Sequence, residues 1–177
     1  MFVLAQTCFY NDILTSDLIL VFGCDIAEDY PVIASKIREA VGKGSKLVMI
    51  SPRATRMDPM AQVALKVNPE TTVVLLKAIL NYIISYNLAD NDFIRLRADG
   101  FEAFAQEIRR YRFEDAVDVL WPKPSKIIEI IHLYLRAKRP VIIIDADKIT
   151  PSELTLINNL ALTTGNVGLD ATGIIVL

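Results

Sequence analysis

Ser16-Asp-Leu-Ile-Leu-Val-Phe-Gly-Cys-Asp-Ile-Ala-Glu-Asp-Tyr-Pro31 decides the fold. From Leu18 to Phe22 it is apolar without alternation, the pattern of a strand covered on both faces, as in a parallel sheet. Gly23 ends the run, and Pro31 suits the first turn of a helix over residues 31–41, in which Ile33, Ile37 and Val41 recur every four positions. Gly42 and Gly44 close that helix, and a second apolar run, residues 46–50, ends in Ser51-Pro52-Arg53. Strand, helix and strand make a β-α-β unit, for which a right-handed crossover is expected. A third run, residues 140–145, repeats the strand pattern and ends in Asp145.

Between the second and third of these runs the chain reads as largely helical. Val63 to Val67 suits a short strand, residues 72–87 are apolar on nearly all sides and predict a buried helix, and residues 90–97, 100–111 and 113–120 predict short amphipathic helices with basic outer faces. Residues 125–137 predict another, with Ile127, Ile130 and Ile131 inward. Thr150-Pro-Ser-Glu153 is a capping-box signature that opens a helix to about Thr163, and Gly165 and Asn166 suit its end. The expected fold class is α/β: a parallel Rossmann-like sheet flanked by helices, with a helical insertion between strands two and three.

The 177 residues suit one domain. At 53% hydrophobic and 23% charged the composition excludes a disordered chain. Nineteen basic against 21 acidic residues exclude a polyanion-wrapping protein, so no nucleic-acid partner is expected. Mean hydropathy is high, +0.36, yet the most apolar stretch, residues 73–84, is interrupted by Lys77 and Asn81 and falls short of the ~20 residues of a span. No direct membrane insertion is expected, and with no signal-peptide pattern after Met1 the expected location is cytoplasmic. The apolar start, residues 1–12, and the apolar end, residues 173–177, suggest a single domain, residues 1–177, that is a piece of a longer polypeptide.

Cys8 and Cys24 are the only cysteines and His132 the only histidine. A Cys8–Cys24 disulfide is conceivable, but reduced thiols are expected without export. No iron–sulfur or structural zinc site can be built from this set, and His132, in a helical run away from strand ends, is expected to be packed or superficial, not catalytic. No catalytic and no metal-ligating residues are assigned.

In an open parallel sheet, ligands collect at the carboxyl ends of strands. Those ends hold Gly23, Cys24, Asp25 and Glu28, then Ser51, Pro52 and Arg53, then Asp145 and Asp147. A glycine turn before a helix presents N–H groups to an anion, and Arg53 suits a phosphate. Three acids in the first loop oppose a phosphate, and no Gly-x-Gly-x-x-Gly is present. From these residues alone, a nucleotide-type ligand and an empty strand-end loop, with Gly23 serving the turn and Asp29 capping the helix, fit equally well.

The order of segments 16–31 and 46–53, then Leu88-Ala-Asp-Asn-Asp-Phe-Ile94 and Leu160-Ala-Leu-Thr-Thr-Gly-Asn-Val-Gly168, resembles the central domain of molybdopterin oxidoreductases: formate dehydrogenases, nitrate reductases and the large iron–sulfur subunit of NADH–quinone oxidoreductase. The resemblance implies a module that helps hold the guanine-dinucleotide form of the molybdopterin cofactor, carrying molybdenum or tungsten in the parent enzyme. Iron–sulfur clusters would lie outside this segment, and the implied partners are other domains of the same polypeptide and electron-transfer subunits. It places cofactor contacts at Gly23, Cys24, Asp25, Glu28, Ser51, Pro52, Arg53, Thr71, Gly165 and Asn166. Several of these depart from the family pattern: Asp25 stands for an asparagine, Glu70 for a glycine, and Asp145 within a glycine-rich turn. Added carboxylates where a pyrophosphate would lie disfavour it. The implied function is a domain of a redox enzyme, inactive alone and with a degenerate dinucleotide site; the alternative is a scaffold domain within an NADH–quinone complex. A thiamine-diphosphate enzyme shares the first strand pattern but not the Leu-Thr-Gly-Asn ending.

Overall fold

In the computed structural model, which describes residues 8–120, 123–169 and 171–177, five parallel strands form one sheet. They are β1 (Leu18–Phe22), β2 (Lys46–Ser51), β3 (Val63–Lys66), β4 (Pro140–Ile144) and β5 (Gly173–Val176), in the spatial order β3-β2-β1-β4-β5. The first three runs expected from sequence are β1, β2 and β4; the short strand at Val63 and the strand-like end of the chain complete the sheet. Because β3 forms, the helical stretch falls between β3 and β4. The chain winds outward from β1 to β3, then returns to place β4 on the other side of β1, in register from Leu18 with Pro140 to Phe22 with Ile144. The junction of β1 and β4 is therefore the switch point, where a crevice opens at the strand carboxyl ends.

The continuous apolarity of β1 has the predicted cause. Leu18, Leu20 and Phe22 face one helical layer, while Ile19 and Val21 face the other. The first layer is thick: α3 (Thr72–Ser85), α5 (Phe101–Ile108), α6 (Phe113–Val119), α7 (Pro124–Arg136) and α8 (Pro151–Thr163), with α4 (Asn91–Arg97) against α8. The second is thin, made by α1 (Ile26–Asp29), α2 (Pro31–Gly42) and residues around Ile13 and Met57. Each large aliphatic side chain buried on either face is worth about 1.5–3 kcal/mol. Asn81, buried in the apolar α3, donates its side-chain N–H to the Ile108 carbonyl at 3.1 Å and so ties α3 to the end of α5. At the amino edge of the sheet, the Asp17 carboxylate accepts from the backbone N–H groups of Lys138 and Arg139, fixing the entry to β4. No helix among the described residues is long and apolar enough to cross a membrane. The apolar lead-in at residues 1–7 lies outside the described residues.

Candidate functional site at the switch point

A cleft of about 620 Å³ opens over the carboxyl ends of β1 and β2. It is lined by Gly23, Cys24, Asp25 and Glu28 from the first loop, Ser51, Pro52 and Arg53 from the second, and Lys148 from the loop after β4. Asp29, Ala54, Thr55 and Pro69 complete the wall. The three loops meet because β1, the first strand in sequence, is central in the sheet, with β2 and β4 on its two sides.

Gly23 turns the chain at φ +80°, a left-handed conformation that disfavours a side chain. Its N–H donates to the Ile50 carbonyl at 2.8 Å, so the turn is locked to β2. Asp25 caps α1 by accepting from the Ala27 N–H at 3.2 Å. The sequence suggests Asp29 as the cap of the following helix, and the structure corrects this. Tyr30 holds that N-cap position without a side-chain bond, and Asp29 turns into the crevice to pair with Lys148. Ser51 donates its hydroxyl to the Arg53 carbonyl at 2.8 Å and accepts from Lys66 at 3.0 Å, which shapes the second loop.

The electrostatics divide the cleft. Three carboxylates line it, Asp25, Glu28 and Asp29, against two cations, Arg53 and Lys148. Lys148 is held by Asp29 and lies 3.7 Å from Asp145 Oδ2. Its ammonium is shifted up mainly by the Asp29 hydrogen bond, against a smaller desolvation effect. Asp145 is 3% exposed, and its other oxygen accepts from the Asp147 N–H at 3.0 Å. The Tyr30 phenol is pushed up by burial and then by the neighbouring Asp145 carboxylate. Beneath them Cys24 is buried, its thiol pushed up to about 12 by desolvation and then by Asp145; Cys8 is likewise raised to about 12 by burial and Asp12. Neither cysteine is in a disulfide, and neither has the lowered pKa of a reactive thiol.

Of the residues named from sequence, Gly23, Cys24, Asp25, Glu28, Ser51, Pro52 and Arg53 come together. Thr71 stands next to the cleft wall, between Pro69 and the start of α3. Gly165 and Asn166 do not join them. Helix α8 begins beyond the carboxyl end of β4 and carries the chain about 20 Å, at 1.5 Å per residue, to the amino edge of the sheet. There Gly165, at φ +70°, packs so close to Asp90 that a Cβ would stand 2.8 Å from its Oδ2. Asn166 donates to Thr164 Oγ1 at 3.0 Å, and the fully enclosed Tyr134 hydroxyl sits near both side chains, short of hydrogen-bond geometry. The Thr-Gly-Asn segment thus packs against Asp90 at the start of α4, away from the cleft. His132 is exposed on α7, with its ring edge-on to Tyr82 at 6.3 Å. Sequence reading missed Thr55, Pro69 and Lys148 as lining. Lys148, three residues past Asp145 in the loop after β4, is recognisable only once β4 is known to neighbour β1.

The cleft lies where an open α/β sheet receives its ligand, and many of the amides around it are already taken up within the chain. Besides Gly23, the backbone N–H groups of Ala27, Glu28, Ala146, Asp147, Lys148 and Thr150 donate to acceptors within the chain, whereas those of Cys24, Asp25, Arg53 and Ala54 find none among the described residues. Thr150 and Glu153 close a capping box over the start of α8, which fills that helix terminus with the protein's own carboxylate. No group of three or more metal-ligating side chains converges among the described residues.

The family model described as Molybdopterin oxidoreductase matches residues 4–175. The F420-dependent formate dehydrogenase subunit alpha of Methanocaldococcus jannaschii is 35% identical over 96% of this chain, and formate dehydrogenase H of Escherichia coli is 27% identical over 93%. The chain spans 26% and 24% of the lengths of those two relatives. Among solved structures, acetylene hydratase from Pelobacter acetylenicus superposes with a TM-score of 0.74 over 92% of this chain and 25% of its own, at 18% identity, which shows a shared fold.

Proposed function

The chain belongs to the molybdopterin oxidoreductase family, and from that membership we propose that it is a domain of a redox subunit of formate-dehydrogenase type, non-catalytic by itself. The observation that carries this reading is the 35% identity to a formate dehydrogenase alpha subunit, held over 96% of the chain. Relatives about four times its length support a longer parent polypeptide whose other domains, with electron-transfer subunits, are its partners. The chemistry of oxidation resides with a pterin-bound molybdenum or tungsten held by those other parts. This domain contributes the strand-end cleft beside it, with Arg53 as the lining cation that makes no ion pair among the described residues. Two cysteines outside any disulfide suit a reducing compartment and support a cytoplasmic location.

A second reading is favoured by the cleft itself. Its acidic lining and partly internally bonded amides suit a scaffold that has kept the fold and lost the dinucleotide, as in the large subunit of an NADH–quinone complex. Metal analysis of the native polypeptide that carries this segment separates the two. Molybdenum or tungsten together with iron is the expected result for the redox subunit; iron alone establishes the scaffold, and none of the three rejects both.

A further inference from the structure

We propose that Asp29 and Lys148 form an electrostatic gate that closes the switch point to phosphate. The pair joins the end of α1 to the loop after β4, across the crevice where an open α/β sheet receives its ligand. Lys148 serves two carboxylates at once, since Asp145 Oδ2 is 3.7 Å away. Asp145 is almost wholly buried, and a buried carboxylate requires a countercharge or hydrogen bonds; Lys148 supplies the charge, and the Asp147 N–H supplies a bond. The ammonium thereby brings no free positive charge to the cleft. Arg53 then stands against Asp25 and Glu28, and an entering phosphate meets a negative field.

Part of the backbone is withheld from a phosphate as well, independently of charge. Oxyanion and pyrophosphate sites at strand ends depend on N–H groups aimed into the crevice. Here Gly23 donates to Ile50, Ala146 to Leu177 and Lys148 to its own loop, so these three amides are taken up within the chain, while those of Cys24, Asp25, Arg53 and Ala54 find no acceptor among the described residues. Asp29 is the removable half of the gate: it lies on the surface at the end of a one-turn helix, while Asp145 is part of the core of the loop. The gate is a property of this chain's own cleft and holds for either reading of the parent polypeptide.

The test is a titration of the 177-residue chain with inorganic pyrophosphate, followed by amide resonances of Gly23, Ser51, Arg53 and Lys148. The unaltered chain is expected to show no saturable shift at millimolar concentration. Asp29→Asn, which keeps the shape and leaves the ammonium with Asp145 alone, is expected to bind at least ten-fold more tightly, with an affinity that falls as salt rises. Asp29→Asn combined with Lys148→Gln is expected to return to the unaltered behaviour. Saturable shifts in the unaltered chain overturn the gate. So does an Asp29→Asn chain with an intact spectrum that remains inert, or a double variant that still binds.

Discussion

Two glycine turns carry the sequence segments that most resemble the family, and they do opposite things. Gly23 stands at the carboxyl edge of the sheet, where a Cβ would meet only the Lys148 carbonyl at 3.6 Å, an ordinary contact. Gly165 stands at the amino edge, where a Cβ would press on Asp90 Oδ2 at 2.8 Å and on Phe93 at 3.4 Å. Both take positive φ, but only one is hemmed in. Asp90 is itself committed: its carboxylate caps α4 by accepting from the Phe93 N–H at 2.9 Å, and its own N–H donates to the Thr163 carbonyl at the end of α8. The Gly165 turn therefore fastens α4 to α8, while the Gly23 turn borders open space. A motif shared with a family marks a required backbone geometry; whether that geometry serves a ligand or a clasp depends on which edge of the sheet it occupies.

Substitution at Gly165 tests the clasp most severely. Gly165→Ala combines the left-handed backbone penalty with a collision against a carboxylate, and is expected to destabilise the chain by about 2–4 kcal/mol in denaturant unfolding. Adding Asp90→Ala should recover part of that loss, leaving a favourable coupling of about 1 kcal/mol or more in the double-mutant cycle; strict additivity would mean the two groups do not collide. Gly23→Ala carries only the backbone penalty and is expected to cost about 1–2 kcal/mol. If it proves as damaging as Gly165→Ala, the contrast between the two edges collapses.

The capping box sharpens the same comparison from the cleft side. Glu153→Ala leaves the first turn of α8 without its reciprocal bonds and is expected to cost about 0.5–2 kcal/mol, while opening that helix end to added anions. Cys24 offers a chemical readout of how closed the switch point is. With its thiol pushed up to about 12, alkylation at pH 8 should be slow in the folded chain and fast in denaturant, for Cys24 and Cys8 alike. Rapid labelling of native Cys24 would show the crevice floor to be open.

The smallest effect is a pH dependence at the neighbouring loop. Partial burial raises the Asp58 carboxyl, but hydrogen bonds from Lys66 and Thr55 outweigh it and hold the group below its ordinary value. A depressed carboxyl contributes stability above its unfolded pKa, near ~3.9, and loses it as pH falls through the folded value. Asp58→Asn should therefore be less stable than the unaltered chain at pH 6, by under about 1 kcal/mol for a pair this exposed, with the gap closing below pH 4.

Much of this was legible in the residues. The unbroken apolarity of β1, β2 and β4 announced a two-sided sheet, Pro31 and Pro151 marked helix starts, and Thr150 with Glu153 gave the capping box that the structure contains. Half of the cleft was legible as well, because strand-end loops follow strands in sequence. The partnership of Asp29 with Lys148, 119 positions apart, was not, and neither was the placement of Gly165 at the far edge. Local pattern records where an element begins and ends, since propensity, capping and burial act over a few residues.

The sequence by itself determined the α/β class, most of the helices, the family and the small number of cysteines and histidines, two and one. Only the tertiary structure decided that β1 lies between β2 and β4, that Asp29 pairs with Lys148 across the crevice, and that Thr164-Gly165-Asn166 closes the opposite edge. The reason is that strand order and long-range ion pairs are settled by the packing of whole layers against one another. Strands β1, β2 and β4 each read as buried on both faces, so no stretch of sequence records which neighbour lies beside which strand.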